Sequence, residues 1–325
     1  MDQWLIEHLV CPRDKHELDM ENDSLKCELG HVYPVVDGIP IMLVDDAEST
    51  HGYIQQTLDD VAKGVFEADV PISENGAVDP FVQAEVPYTS GNLYFAVQHK
   101  LTRYPIPETR LWQGAGERLL DIGCNWGRWT IAASLKNFKP VGMDPSLKAV
   151  MAARRVSKQL NAEAIFIVGD ARFLPFADDS FDVVFSYGVY QHLSKDNVRV
   201  SLDEVRRVLK TSGLTLFQMP NKYGIRQYQQ HRRRGFTEGK DFEVRYWTPA
   251  ELMGTFTEKL GPTEMFTDCY FGLGIQASDI DLLPLKFKIV VTASEALRKL
   301  SSVLPPLMKV ADSVYLRSVN EKPSH

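Results

Sequence analysis

From residue 118 onward, brief apolar runs alternate with longer mixed stretches. The runs at 118–122, 140–143, 164–168, 181–186 and 214–218 read as buried strands, and the stretches at 128–135, 146–160 and 196–209 read as helices. Strand–helix alternation of this kind predicts an α/β fold built on a doubly wound, mostly parallel sheet. Thr248-Pro249 with Glu251 opens a further helix, because a capping hydroxyl, a proline at the first helical position and an early acid all favour a helix start. Two later strands are expected at 263–271 and 314–319, with a helix at 285–300 between them.

The first 46 residues follow a different pattern. Asp2 can cap a short helix carrying Trp4, Leu5, His8 and Leu9. Strand-like pieces follow around Leu18, at 25–27, at 31–36 and at 39–44, with Asp37-Gly38 as a hairpin turn, since glycine accepts positive φ. So small a unit cannot bury much surface alone and needs a metal, a partner or a covalent neighbour. Between the two patterned regions, a helix is expected at 53–63, a loop at 69–86, and an amphipathic helix at 92–102 that ends before Pro105 and Pro107. The predicted organisation is therefore a small β-rich unit (1–46), a linker and helical cap (47–112), the α/β domain (113–271), and a C-terminal insertion helix with a closing strand (272–325).

Composition narrows the function classes. A chain of 325 residues, 44% hydrophobic and 24% charged, is a folded protein of about two domains. With 36 basic against 43 acidic residues its net charge is −7, which disfavours broad, non-specific coating of nucleic acid. Four cysteines cannot make a disulfide framework and point to a reducing compartment. The N-terminus lacks a cationic start and meets Cys11-Pro12 early, unlike a signal peptide, and no run of 18 apolar residues occurs. A cytoplasmic location is the expectation.

The chemistry concentrates in "RLLDIGCNWGRW". An apolar strand ends at Asp121, and Gly123, Asn125 and Gly127 follow at every second position before a helix. Such a turn admits a ligand close to the backbone and points helix N–H groups at it. A dinucleotide fingerprint would put glycine at 123, 125 and 128, but Asn125 and Arg128 stand at the last two. The next strand, "PVGMD", ends in an acid, Asp144.

The Asp-x-Gly-x-Asn-x-Gly pattern resembles the first motif of class I S-adenosylmethionine (SAM)-dependent methyltransferases, and the run "IFIVGDARFLPF", the run "FDVVFSYGVYQHL" and the later "EVRRVLKTSGLTLF" resemble that family's next segments in order. The resemblance covers roughly 118–271. It implies a Rossmann-like seven-stranded sheet and SAM as cofactor, held by Asp121, Gly123, Asn125, Gly127 and Asp144, with Asp170 and Ala171 at the adenine. It also implies that the sheet ends in a reversed hairpin closed by the strand at 314–319, and that the carboxyl end of the fourth strand faces the methyl group. There His192 is a general-base candidate for a hydroxyl acceptor, its bland alternative being a structural histidine. Tyr187 and Tyr190 can line the same pocket. Trp126 and Trp129 read as packing residues and Cys124 as a small core residue.

The N-terminal run "LVCPRDKHEL…LKCELGHVYPVVDGIPIML" resembles the zinc-ribbon family that includes the activator subunit of tRNA and release-factor methyltransferases. Two Cys-x-x-Cys pairs are the full pattern. Here Asp14 replaces the partner of Cys11, and Cys27 is followed by His31, a Cys-x₃-His half also similar to the zinc finger of a bacterial ribosomal-RNA guanine methyltransferase. Cys11, Asp14, Cys27 and His31 can close a tetrahedral zinc site. The rival reading, favoured because oxygen ligands are uncommon in structural zinc sites, is a metal-free ribbon held by packing. In that family the ribbon adds a strand to the methyltransferase or packs beside it.

The acceptor is read from "NKYGIRQYQQHRRRGF" beyond the fifth strand. Arg226, Arg232, Arg233 and Arg234 with Tyr223 and Tyr228 sit where open α/β sheets bind ligands. An anionic small or glycan-like acceptor, methylated on oxygen, is favoured. RNA is the alternative partner, and a non-catalytic SAM-fold scaffold or activator is the alternative function. No Asn-Pro-Pro-Tyr-like signature follows the fourth strand, which speaks against an amino-group acceptor of the adenine, cytosine or glutamine type. The oligomeric state is not legible.

Overall fold

The computed structural model describes residues 1–47, 52–65, 76–272, 274 and 276–322. Its spine is one mixed sheet. Strands β5 (Arg118–Ile122), β6 (Lys139–Asp144), β7 (Ile165–Gly169), β8 (Phe181–Tyr187) and β9 (Leu209–Pro220) run parallel in the order β7-β6-β5-β8-β9. The order reverses on either side of β5, which makes its carboxyl end the switch point where ligands bind. Beyond β9, β11 (Ser313–Val319) inserts antiparallel between β9 and β10 (Thr263–Cys269), forming the reversed hairpin.

The helices begin where local chemistry favours it. Ser146 accepts from the Ala149 N–H at 3.3 Å to start α5 (Leu147–Gln159), and Ser194 accepts from the Asn197 N–H at 3.1 Å to start α6 (Lys195–Val208). Thr248 and Glu251 form a reciprocal capping box at α8 (Pro249–Leu260), which packs with α6 on one face of the sheet. The opposite face carries α4 (Arg128–Ser134) and α9 (Leu285–Ser301).

The N-terminal unit is continuous with this sheet. A short helix α1 (Gln3–His8), capped by Asp2, precedes β1 (Leu18–Glu21), β2 (Ser24–Cys27), β3 (Val32–Val36) and β4 (Ile39–Met42). Asp37 and Gly38 have φ of +50° and +77°, the mirror-type turn that joins β3 to β4. β4 then pairs parallel with β7, with Ile41 opposite Val168. Leu5, Leu9, Leu25, Tyr33 and Met42 share a core with the α/β strands, Trp4 meets Phe181 edge-on at 5.5 Å, and the Arg118 guanidinium lies 4.1 Å from the Trp4 ring.

The segment between these regions departs from expectation. Helix α2 (Gly52–Ala62) forms where one was expected. Residues 80–86 of the expected loop instead belong to α3 (Pro80–Ser90), while 69–75 lie outside the described residues. The reason is local: the Asp79 carboxylate accepts from the Phe81 N–H at 2.9 Å, and Pro80 occupies the first turn. The helix expected at 92–102 shrinks to a single 3₁₀ turn, Asn92–Ala96, because the Gln83 side chain takes the Leu101 N–H and His99 adopts φ +60°.

Candidate functional site

At the end of β5, Gly123, Asn125 and Gly127 all have positive φ, +77°, +47° and +81°. Side chains rarely tolerate this, and space forbids them too: a Cβ on Gly123 would lie 2.2 Å from Val189, and one on Gly127 3.0 Å from Ala153. Asn125 is the residue that adopts αL most readily after glycine, and its Oδ1 accepts the Trp126 N–H at 2.8 Å. The Gly123 and Cys124 N–H groups both donate to the Met143 carbonyl, at 2.7 and 3.0 Å, which ties the turn to β6.

Three acids stand at the carboxyl ends of β5, β6 and β7, and one of them holds this turn. Asp144 accepts the Asn125 N–H and the Ser146 N–H, both at 2.9 Å, and burial pushes its carboxyl up to about 6 against the pull of those two bonds. Asp121 turns inward and accepts the Thr130 hydroxyl at 2.6 Å. Its complete burial, with Asp144 nearby, pushes it up to about 7. Asp170 has a partner that the sequence reading did not foresee. The Arg172 guanidinium grips its carboxylate at 2.6 and 3.1 Å, and the Arg172 N–H donates at 2.9 Å, with both side chains buried. The adjacent Ala171 carbonyl accepts the Ser201 hydroxyl at 2.6 Å. A small cleft is lined by Gly123, Met143, Pro145, Asp170, Ala171 and Val189. Glycine backbone, carboxylates and apolar walls at the switch point fit a nucleoside-bearing cofactor.

His192 lies beside this cleft rather than in its lining. Its ring stacks on Phe242 at 3.9 Å, and Nδ1 donates to the Phe242 carbonyl at 2.7 Å. Gln191 Nε2, which can only donate, lies 3.1 Å from His192 Nε2. With Nδ1 donating to the carbonyl, Nε2 is the nitrogen that accepts from the Gln191 amide. Tyr53 of α2 meets Phe242 edge-on at 6.0 Å, so aromatic contacts join α2 to the loop that follows α7 (Ile225–Arg233). Tyr190 does not line a pocket: it is fully buried, with its hydroxyl 2.6 Å from Ser201. Trp126 and Trp129 are buried packing residues, and Cys124 is a buried thiol.

A polar cluster escaped the sequence reading. The Tyr187 hydroxyl donates to Asp268 at 2.9 Å, Ser313 donates to the same carboxylate at 2.9 Å, and Gln218 donates to Ser313. Gln218 Oε1 and Asp268 Oδ1 are buried with no hydrogen-bond partner, and Gln218 Oε1 lies 3.8 Å from where a Gly188 Cβ would stand. The available signal was polar residues at inward positions of otherwise apolar strands. Of the arginines beyond β9, Arg226 donates to the Phe271 carbonyl at 3.1 Å and Arg234 to the Val244 carbonyl at 2.9 Å, while Arg232 and Arg233 are exposed.

In the N-terminal unit, one ligand atom from each of Cys11, Asp14, Cys27 and His31 lies within 4.8 Å of the others. His31 Nδ1 is 3.5 Å from Cys11 Sγ, 3.4 Å from Cys27 Sγ and 2.8 Å from Asp14 Oδ2. Two thiols, an imidazole and a carboxylate gathered this closely fit a tetrahedral zinc ion.

A methyltransferase-domain family matches residues 119–213, and a Trm112p-like family matches residues 2–38. The uncharacterized methyltransferase YcgJ of Bacillus subtilis is 36% identical over 100 residues, covering 30% of this chain and 39% of that protein. The demethylmenaquinone methyltransferase of Staphylococcus haemolyticus is 31% identical over 127 residues, 38% of this chain and 51% of that protein. The UPF0434 protein MS0934 of Mannheimia succiniciproducens is 44% identical over 52 residues, 15% of this chain and 85% of that protein. Among solved structures, the complex between the Haloferax volcanii Trm112 methyltransferase activator and the putative methyltransferase aligns at a TM-score of 0.45 and 20% identity, over 76% of this chain and 96% of that one. The chain spans about two fifths of the length of the first curated relatives it matches.

Proposed function

We propose that this chain, which carries a methyltransferase domain behind a Trm112p-like unit, transfers a methyl group from SAM to the hydroxyl of a small or glycan-like anionic acceptor. The observation that carries the proposal is the left-handed turn 123–127 tied to the Asp144 carboxylate at the switch point of the sheet. Bound SAM supplies a methyl group made electrophilic by its sulfonium. Gly123 and Gly127 keep the turn bare of side chains so that the cofactor lies close to its backbone, Asn125 holds the left-handed bend, and Asp144 receives the ribose hydroxyls. Asp121 holds the turn through Thr130. Asp170, clamped by Arg172, and the Ala171 backbone border the adenine.

The acceptor enters from the side of Gly188, where the unpaired Gln218 Oε1 supports a hydroxyl donor. His192 is the general base, its Nε2 exchanging the Gln191 amide for the acceptor hydroxyl whose proton it takes. Arg232 and Arg233, exposed on α7, are the cations offered to the anionic part of the acceptor. The buried thiols of Cys11, Cys27 and Cys124 support a reducing, cytoplasmic setting. Among the described residues no helix is long and apolar enough to cross a membrane. Cys11, Asp14, Cys27 and His31 bind zinc, and the unit that holds it serves as a built-in activator docked on the methyltransferase.

Calorimetry with SAM followed by single-turnover methyl transfer to candidate acceptors tests the reading. Absence of SAM binding at millimolar ligand sinks it, and binding without turnover on any acceptor leaves a scaffold. RNA is the second reading, favoured by exposed Tyr223 and Tyr228 beside Arg232 and Arg233. A steep decline of acceptor affinity with salt, lost when Arg232 and Arg233 become alanine, selects RNA over a small anion.

A further inference from the structure

Helix α9 is only half used by the fold. It buries Val291, Ser294 and Ser301, and it packs Phe287 and Val290 against the cap core. The other face carries Leu285, Ile289, Ala293, Ala296 and Leu300 at helical spacing, and the stripe continues into Val303 and Leu304. Leu285 is 74% exposed, Val303 71% and Ile289 63%, among the most exposed large apolar side chains of the described residues. Water is a poor solvent for such a row, so something covers it in use.

Charge says what. Residues 284–310 hold Lys286, Lys288, Arg298, Lys299 and Lys309 against the single acid Glu295, in a chain whose net charge is −7. Arg298 pairs with Glu295 at 2.8 Å and Lys288 lies 4.0 Å from Asp281. Lys286, Lys299 and Lys309 have no carboxylate partner among the described residues. A second copy of the chain is a poor fit, because a two-fold contact would set these lysines against their own duplicates. RNA would satisfy the lysines and leave the leucines wet. An apolar stripe flanked by lysines matches an anionic lipid surface, where acyl chains take the stripe and phosphates take the ammonium groups.

We infer that α9 and the 302–310 segment form a membrane-docking face for an anionic bilayer, lying in the interface rather than crossing it. Its place in the fold is consistent. β11 runs antiparallel, so Ser313 stands beside Pro220 at the carboxyl end of β9, and the Lys309 carbonyl just before it accepts from Asn221 at 3.0 Å. The face therefore adjoins the edge of the sheet where the cleft opens.

Flotation of the full chain with vesicles tests this without any methyl transfer. Vesicles of phosphatidylcholine containing about 30% phosphatidylglycerol should carry the protein at low salt, and phosphatidylcholine alone should not. The paired change Leu285→Glu and Ile289→Glu should lower the partition coefficient at least about tenfold with an unchanged melting curve, and alanine at Lys286, Lys299 and Lys309 should flatten its salt dependence. Should the glutamate variant fold poorly, Val303→Trp gives an independent reading, since its emission should move to the blue on anionic vesicles. No flotation of the wild-type chain, equal flotation of the glutamate variant, or a wild-type dimer dissolved by the same changes would each overturn the inference.

Discussion

At the scale of single residues, the carboxyl groups behave differently although the sequence presents them alike. Asp144 stands at a strand end and receives two backbone N–H groups, so it is oriented before any ligand arrives. Asp144→Ala should weaken SAM binding by about 1–3 kcal/mol, the range for a charged hydrogen-bond partner. Because burial holds this carboxyl up to about 6, the acceptor form fades as pH falls through that value, and SAM affinity measured by calorimetry should weaken there. Asp121 acts on stability instead. Its folded form keeps a proton up to about 7, whereas the unfolded chain releases it near 3.8, so the unfolded state binds fewer protons across that window. Stability therefore falls as pH rises from the lower value to the higher. Asp121→Asn, which still accepts from Thr130, should flatten that slope in thermal melts, and an unchanged slope would assign it to another group. The residue types and their strand ends were legible in the sequence. The clamp of Arg172 on Asp170 was not, because it depends on a side chain folding back over a loop two residues long.

At the scale of elements, strands and helices of the α/β region fall within a few residues of where the apolar pattern puts them, since burial on both faces writes itself plainly into composition. The linker was misread where structure rests on single polar contacts, as with Asp79 at the start of α3 and Gln83 under Leu101. Arg128 is the sharpest case. As a departure from the dinucleotide fingerprint it looked like a missing glycine, yet it starts α4 as a buried tie between elements. Its guanidinium donates to the Pro105 carbonyl at 2.8 Å, to the Tyr94 hydroxyl at 3.0 Å and to Asp279 at 2.5 Å, joining the cap, α4 and the C-terminal insertion. Arg128→Ala leaves Asp279 buried without its cation and should cost about 3–5 kcal/mol in denaturant unfolding. Replacing Asp279 as well, with asparagine, should recover part of that loss, and no recovery would mean that the carbonyl contacts matter more than the pair.

At the scale of the whole molecule, the N-terminal unit is held in two separable ways. Its hydrophobic residues are part of the central core, β4 continues the sheet beyond β7, and Lys15 reaches Glu204 of α6 at 2.7 Å. The four-ligand cluster, by contrast, pins only the loops around Cys11 and Cys27 to each other. These two supports should respond differently to two perturbations. Removing residues 1–46 uncovers the edge of β7 and the apolar surfaces of Leu174, Phe176 and Phe181, so the truncated chain should aggregate on expression. Removing zinc should be milder. The chain as purified should carry about one zinc per molecule by atomic absorption, as expected for one tetrahedral site. Stripping the metal should lower the melting temperature while far-ultraviolet circular dichroism and SAM binding persist, because the packed core does not depend on the cluster. Cys27→Ala should reproduce the stripped protein and abolish the metal content. If chelation unfolds the whole chain, the metal rather than the shared core holds the unit in place; if the purified chain carries no zinc and Cys27→Ala melts like the wild type, the ribbon is held by packing alone.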